Sequence, residues 1–232
     1  MVKVIVITGT SKGLGRYLAE YYLESGCKVA GCSRSDASIE YDNYRHYTLD
    51  VADEESVVKM VKDVARDWGR IDVLINSAGV ASMNHVILTP LNSLKAVMDT
   101  NFTGTFLFTR ETAKVMINQR WGRIVNISTV AVPLSLEGES LYVASKSAIE
   151  AFTKVVAKEL APYNITVNAV GAAPMKTALL RTVPEQKISR ILDMMAIPRV
   201  AEFRDVSNVV DFFIKQESDF ITGQVIYLGG VG

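Results

Sequence analysis

Cysteine and histidine are scarce in this chain of 232 residues, with two of each. Cys27 and Cys32 lack the spacing of a redox or metal-binding pair, and two thiols cannot frame a fold of this length, so both are expected as reduced core or near-core residues. Neither His46 nor His85 has a second histidine at ligand spacing, which argues against zinc, and no metal is expected. Charge of one sign is missing too: 25 Lys and Arg balance 25 Asp and Glu, leaving no footprint for nucleic acid. No apolar run reaches the roughly 18 residues that a membrane span needs. The apolar start, Val4-Ile5-Val6-Ile7, is too short for a signal peptide and leads straight into a glycine loop. A cytoplasmic protein without nucleic-acid or membrane partners is the expectation.

What remains is ordinary globular composition, 49% hydrophobic and 22% charged, at a length that one α/β domain commonly fills. Val4-Ile5-Val6-Ile7 is a continuous β-branched run, as in a strand buried on both faces. Thr8-Gly9-Thr10-Ser11-Lys12-Gly13-Leu14-Gly15 follows, and then a helix with Leu14, Tyr17, Leu18, Tyr21 and Tyr22 on its apolar face and Gly26 as its stop. Glycines between a strand and a helix let backbone N–H groups approach a pyrophosphate at the positive end of the helix dipole. Gly9, Ser11, Lys12, Gly13, Leu14 and Gly15 are therefore candidate dinucleotide contacts. A second strand, 28–32, ends at Ser33-Arg34, where an acidic residue would hydrogen-bond an adenosine ribose. No acid stands there. Arg34, with Lys12, favours a 2′-phosphate, and NADP(H) is expected over NAD(H).

Further along, strands are expected at 44–49, 71–75, 123–127, 164–170 and 225–228, and helices at 53–68, 89–119, 141–160 and 206–216. The fourth strand delivers Asn76-Ser77-Ala78-Gly79, whose small residues leave room for a flat ligand, with Asn76, Ala78 and Gly79 as candidate contacts. Thr89-Pro90 reads as an N-cap followed by proline at the first helical position. Inside that helix Asn101 and Gly104, poor helix formers, suggest a local distortion with a purpose. Residues 171–200 hold Pro174, Pro184 and Pro198 and two short helical patterns, and read as a lid over the site. Strands alternating with helices imply a Rossmann-type, doubly wound parallel sheet of six or seven strands, a single domain over 1–232, with ligands at the carboxyl ends of the strands.

Tyr142-Val143-Ala144-Ser145-Lys146 carries the chemistry. On a helix, positions i and i+4 share a face, so Tyr142 and Lys146 are neighbours. A free phenol, with a pKa of about 10, exchanges protons poorly at neutral pH. A nearby cation is expected to lower that value and make a general acid/base usable near pH 7.

Taken together, these motifs resemble the short-chain dehydrogenase/reductase family over nearly the whole chain: the glycine loop from Thr8 to Gly15, Asp50-Val51, Asn76-Ser77-Ala78-Gly79, Asn101, the Tyr142/Lys146 pair and Thr177. The 3-oxoacyl-carrier-protein reductases are most similar in appearance. The resemblance implies hydride transfer between nicotinamide and a substrate carbonyl, with Tyr142 moving the proton and Lys146 lowering its pKa while holding the nicotinamide ribose. Asn101 would position a water linking Lys146 to solvent, Asp50 and Val51 would lie near adenine, and Thr177 would touch the cofactor. It also implies a hydroxyl that polarises the carbonyl. The family's serine position is Thr129 here, with Ser128 one residue off. Because strand neighbours point to opposite faces, Thr129 is preferred.

Two other departures are Ala172-Ala173 in place of Pro-Gly and Leu228-Gly229-Gly230 in place of Asp-Gly-Gly. Carrier-protein reductases use entrance arginines; Arg120 matches one position and Tyr163 occupies the other, while Arg181, Lys187, Arg190 and Arg199 could substitute. Met175, Leu179, Leu180, Ile188, Met194 and Met195 suggest an apolar substrate or a lid packing on itself. A ketone or acyl-thioester substrate and a homodimer or homotetramer are the implied partners. The alternative is a dinucleotide-binding sensor or assembly subunit with vestigial chemistry, against which Asn101, Tyr142 and Lys146 speak.

Overall fold

The computed structural model describes residues 2–177, 180 and 183–231. Seven parallel strands form one sheet in the order β3-β2-β1-β4-β5-β6-β7: β1 (Val4–Thr8), β2 (Lys28–Ser33), β3 (Tyr44–Thr48), β4 (Val73–Asn76), β5 (Gly122–Thr129), β6 (Ile165–Ala172) and β7 (Val225–Tyr227). Helices α1 (Gly13–Glu24), α2 (Glu54–Trp68), α3 (Leu91–Met98), α4 (Gly104–Gln119), α5 (Ala131–Leu134), α6 (Ser140–Leu160), α7 (Glu185–Asp193) and α8 (Phe203–Ile214) connect them. This is the doubly wound Rossmann-type architecture.

Alternation along β1 shows why the sheet is covered twice. Val4 and Val6 pack with Val57, Phe108 and Val156 of α2, α4 and α6. Ile5 and Ile7 pack with Leu18 and Val206 of α1 and α8 on the other face. A strand with no polar face must be buried on both sides, and each such side chain contributes about 1.5–3 kcal/mol. The chain order reverses at β1, whose neighbours are β2 and β4, so a crevice opens beyond their carboxyl ends.

The expected helix over 89–119 is two helices. Leu91 opens α3 with Pro90 at the N-cap, because the Thr89 hydroxyl donates to the His85 carbonyl instead of capping. A π-helical turn, Asp99–Thr103, then separates α3 from α4, which is the distortion that Asn101 and Gly104 foreshadowed. Gly104 is needed there for space: a Cβ would lie 2.6 Å from Val51 Cγ2.

Between 171 and 200 a few described residues are buried, among them Ile191 and Met195. Ile191 of α7 and Met195 join Val130, Ala173, Ala201 and Val231 in a third apolar cluster. Of the residues singled out there, Leu179 and Arg181 lie outside the described residues. The departure at Leu228-Gly229-Gly230 falls beside this cluster, where a Cβ on Gly230 would lie 2.7 Å from that of Ala196.

Candidate active site

A cavity of about 800 Å³ lies at the carboxyl ends of the strands. At one end Gly9, Ser11, Lys12, Gly13, Leu14 and Gly15 form its wall. Gly9 has φ +81°, and a Cβ there would meet Ala78 Cα at 2.9 Å, so only glycine lets this loop lie against the residues after β4. Lys12 stands at the N-cap of α1 and, among the described residues, no side chain caps that helix. The N–H groups of its first turn are thus available to an anion, beside the positive end of the dipole.

Beyond the loop, Ser33, Arg34, Asp50, Val51, Ala78, Gly79 and Thr177 line the same space. Arg34 and Lys12 are exposed, so their charge is open to a ligand. Ser33 is less free, since its hydroxyl donates to the Ser35 carbonyl at 2.5 Å and lies 3.3 Å from His46 Nε2. Asn76 is a correction to the expected contacts. It is buried and absent from the cavity wall, because its amide donates to Thr109 Oγ1 at 3.1 Å and Asn126 Oδ1 at 2.8 Å, which spends it on tying β4 to α4 and β5.

At the other end, α6 presents Tyr142 and Lys146 to the cavity. Lys146 Nζ donates to the Ile127 carbonyl at 2.7 Å and lies 5.9 Å from the centroid of the Tyr142 ring. The electrostatics differ from the expectation that the lysine acidifies the phenol. Burial pushes Tyr142 up to about 12, with the hydroxyl of Thr129 opposing and Glu139 adding to the rise. Burial likewise holds Lys146 down at about 8, with only the Glu150 carboxylate favouring its charge. Desolvation disfavours both ions, and at this separation the ammonium does not offset it. The phenol is a stored proton in the free protein.

Strand alternation separates the two candidate hydroxyls. Ser128 turns to α6 and donates to Glu150 Oε1 at 2.5 Å. Thr129 emerges from the other face beside the Tyr142 phenol, and its oxygen also accepts the Ala131 N–H at 3.2 Å.

Asn101 is fully buried behind the wall. Its Oδ1 accepts the Val80 N–H at 2.8 Å, and its Nδ2 donates to the Val80 carbonyl and to Ser145 Oγ, each at 2.9 Å. The side chain braces the loop after β4 against α6. Both of its N–H donors are thereby used, so any water relay would have to be held by other atoms.

Leu180, singled out for its apolar side chain, is in the wall, and other wall residues were not foreseen: Leu136 and Glu139 before α6, Val183, and Ile191 of α7. No local motif marks them; only the return of α7 toward α6 brings them together. Arg120 lies elsewhere. It stacks over Tyr163, 5.9 Å from the ring centroid, just before β5 begins. That is the amino end of the strands, about 30 Å from Thr129 along extended chain, so it is not at the mouth of its own chain's cavity.

Known proteins are similar to this chain over nearly its whole length. A family model described as enoyl-(acyl carrier protein) reductase matches residues 9–230. The 3-oxoacyl-acyl-carrier-protein reductase FabG of Aquifex aeolicus (strain VF5) is 32% identical, covering 98% of this chain and 96% of its own. FabG of Staphylococcus aureus (strain Mu50) is 31% identical, with 99% and 98% covered. Among solved structures, ligand-free aldohexose dehydrogenase (AldT) of Thermoplasma acidophilum matches with a TM-score of 0.91 at 31% identity, covering 99% of this chain and 94% of that one. ElxO with NADP bound matches at 0.90 and 29%, covering 98% and 97%. By full-length similarity and by the architecture of its cavity, this chain belongs to the short-chain dehydrogenase/reductase family of oxidoreductases.

Proposed function

We propose that the protein is an NADPH-dependent reductase of a ketone or 3-oxoacyl group, or the same enzyme run in reverse as an alcohol dehydrogenase. The observation that carries the reading is that one cavity joins the glycine loop to Tyr142, Thr129 and Lys146. The residues present suit a dinucleotide: a glycine cradle that a Cβ would fill, an uncapped helix N-terminus, and Arg34 with Lys12 where a 2′-phosphate would lie. The NADP bound to ElxO, a relative of the same fold, supports the choice of cofactor. When bound, the nicotinamide supplies or accepts the hydride.

The chain's own residues do the rest. Thr129 donates a hydrogen bond to the carbonyl oxygen and so stabilises the negative charge that grows there. Tyr142 gives that oxygen its proton as a general acid. Because burial keeps the phenol protonated up to about pH 12, the free site is poised for reduction. Lys146, seated on the Ile127 carbonyl, holds the nicotinamide ribose and supplies positive charge as the phenolate forms. Asn101 keeps α6 and the loop after β4 in register. Leu136, Leu180, Val183 and Ile191 give the substrate an apolar wall, and part of 171–200 serves as its lid. Exposed Leu91, Phe106 and Val155 on α3, α4 and α6 support a homodimer or homotetramer built on these helices. A cytoplasmic location accords with the expectation from sequence.

The test is NADPH oxidation, followed by absorbance, over a panel of ketones, diketones and 3-oxoacyl thioesters. Turnover with at least one, lost in Tyr142→Phe with NADPH binding retained, is the expected result. Tight NADPH binding without turnover on any substrate would favour the sensor instead.

A further inference from the structure

Behind the lysine lies a buried carboxylate that the proposed chemistry does not use. Glu150 follows Lys146 by one turn of α6 and is only 7% exposed. Its Oε1 accepts the Ser128 hydroxyl at 2.5 Å and its Oε2 accepts the Tyr227 hydroxyl at 2.6 Å. Among the described residues no cation lies within salt-bridge distance of it. A buried carboxylate without an ion pair is costly unless its oxygens are hydrogen-bonded, and here both are, by short bonds to hydroxyls.

The sheet is shaped to make this possible. Ser128, Gly171 and Tyr227 stand in one row across β5, β6 and β7, so their side-chain positions share a face. A Cβ on Gly171 would run into the Tyr227 ring. The absent side chain lets the phenol of the edge strand lie over β6 and reach Glu150. Three strands and one helix thus converge on a single carboxylate.

We propose that Glu150, clamped by Ser128 and Tyr227 across Gly171, is a positioning residue that holds a fixed negative charge one turn behind Lys146 and keeps the lysine ammonium charged on the Ile127 carbonyl. This rests on the reading of Lys146 given under Proposed function. Removing the counter-charge frees burial to discharge the amine, which stands at about 8 even with Glu150 present. The surroundings offer no substitute. On α6 itself the other titratable group near Lys146 is Tyr142, with Glu139 at the N-cap. Toward the lysine, β5 offers only the Ile127 carbonyl and hydroxyls, β6 has no titratable side chain, and β7 offers Tyr227. The loop after β4 and the π-turn approach with Gly79 and Asn101, and Lys95 of α3 and Asp99 of that turn are exposed. On α4, Arg110 and Lys114 are paired with Glu111.

Wild type, Glu150→Gln and Glu150→Asp are compared by two readouts. One is the pH dependence of kcat for ketone reduction; the other is the pH midpoint at which Lys146 in the cofactor-free chain is acylated by an amine-directed reagent, read by mass spectrometry. Glu150→Gln is expected to lower both midpoints by about one pH unit or more, since a nearby opposite charge shifts a pKa by about 1–3 units. Glu150→Asp, which keeps the charge, should restore most of the shift. A folded Glu150→Gln with wild-type midpoints overturns the proposal. If that variant does not fold, Ser128→Ala and Tyr227→Phe carry the test: each loosens the clamp and should displace the labelling midpoint, and no displacement in either overturns it. A labelling midpoint displaced in Glu150→Gln, in a protein whose wild type turns over no carbonyl, leaves the proposal standing and defeats only the reductase reading.

Discussion

Replacing Lys146 with methionine should make the protein more stable while abolishing its chemistry. The side chain is 4% exposed, and its ammonium is held at about 8 against an ordinary 10.5. That is a depression of about 2.5 units, and at 1.36 kcal/mol per unit it is a charging cost of about 3 kcal/mol at neutral pH. The variant also gives up the hydrogen bond from the charged amine to the buried Ile127 carbonyl, worth about 2 kcal/mol, leaving a gain of about 1 kcal/mol. For a chain of this size that is a rise of about 2–4 °C in Tm. The pH dependence identifies the cause. Because the folded-state pKa is depressed, the cost is fully present below pH 8, where the amine is charged in both states. It is relieved between about pH 8 and 10.5, where the unfolded chain still binds a proton that the folded chain has released. Calorimetry of both proteins at pH 7, 8, 9 and 10 should show the largest Tm gap at pH 7 and a closing gap above 8. A variant less stable at pH 7, or a gap independent of pH, would refute the reasoning.

Other perturbations are equally specific. Thr129→Ala should lower kcat on the order of 10²-fold, as loss of a donor to a developing oxyanion does, and Thr129→Ser should restore most of it; steady-state reduction assays decide. Gly9→Ala should cost about 2 kcal/mol in thermal unfolding, from the left-handed backbone and the clash with Ala78, and should abolish NADPH binding measured by fluorescence. Arg34→Ala should weaken NADPH about tenfold or more and leave NADH unchanged in titrations, because only the 2′-phosphate loses a charge-assisted bond.

Elements whose cause is local were legible without coordinates. The β-branched run of β1, Gly26 in the left-handed conformation just past α1, and the distortion at Asn101 each follow from a few neighbouring residues. The expected N-cap at Thr89 went astray through a competing local acceptor, the His85 carbonyl. Asn76, beside small residues that line the cavity, read as a contact although its amide is spent inside, on Thr109 and Asn126 from two distant segments.

The sheet, the glycine cradle and the one-turn spacing of Tyr142 and Lys146 follow from the order of residues alone, because periodicity and backbone sterics act over a few residues. How acidic those two groups are, which of Ser128 and Thr129 meets the phenol, and the clamping of Glu150 behind the lysine emerge only once the chain is packed. Burial and long-range hydrogen bonds set those properties, and they depend on which distant strands a side chain meets: Ser128, Gly171 and Tyr227 share one row only because β5, β6 and β7 pair in this register.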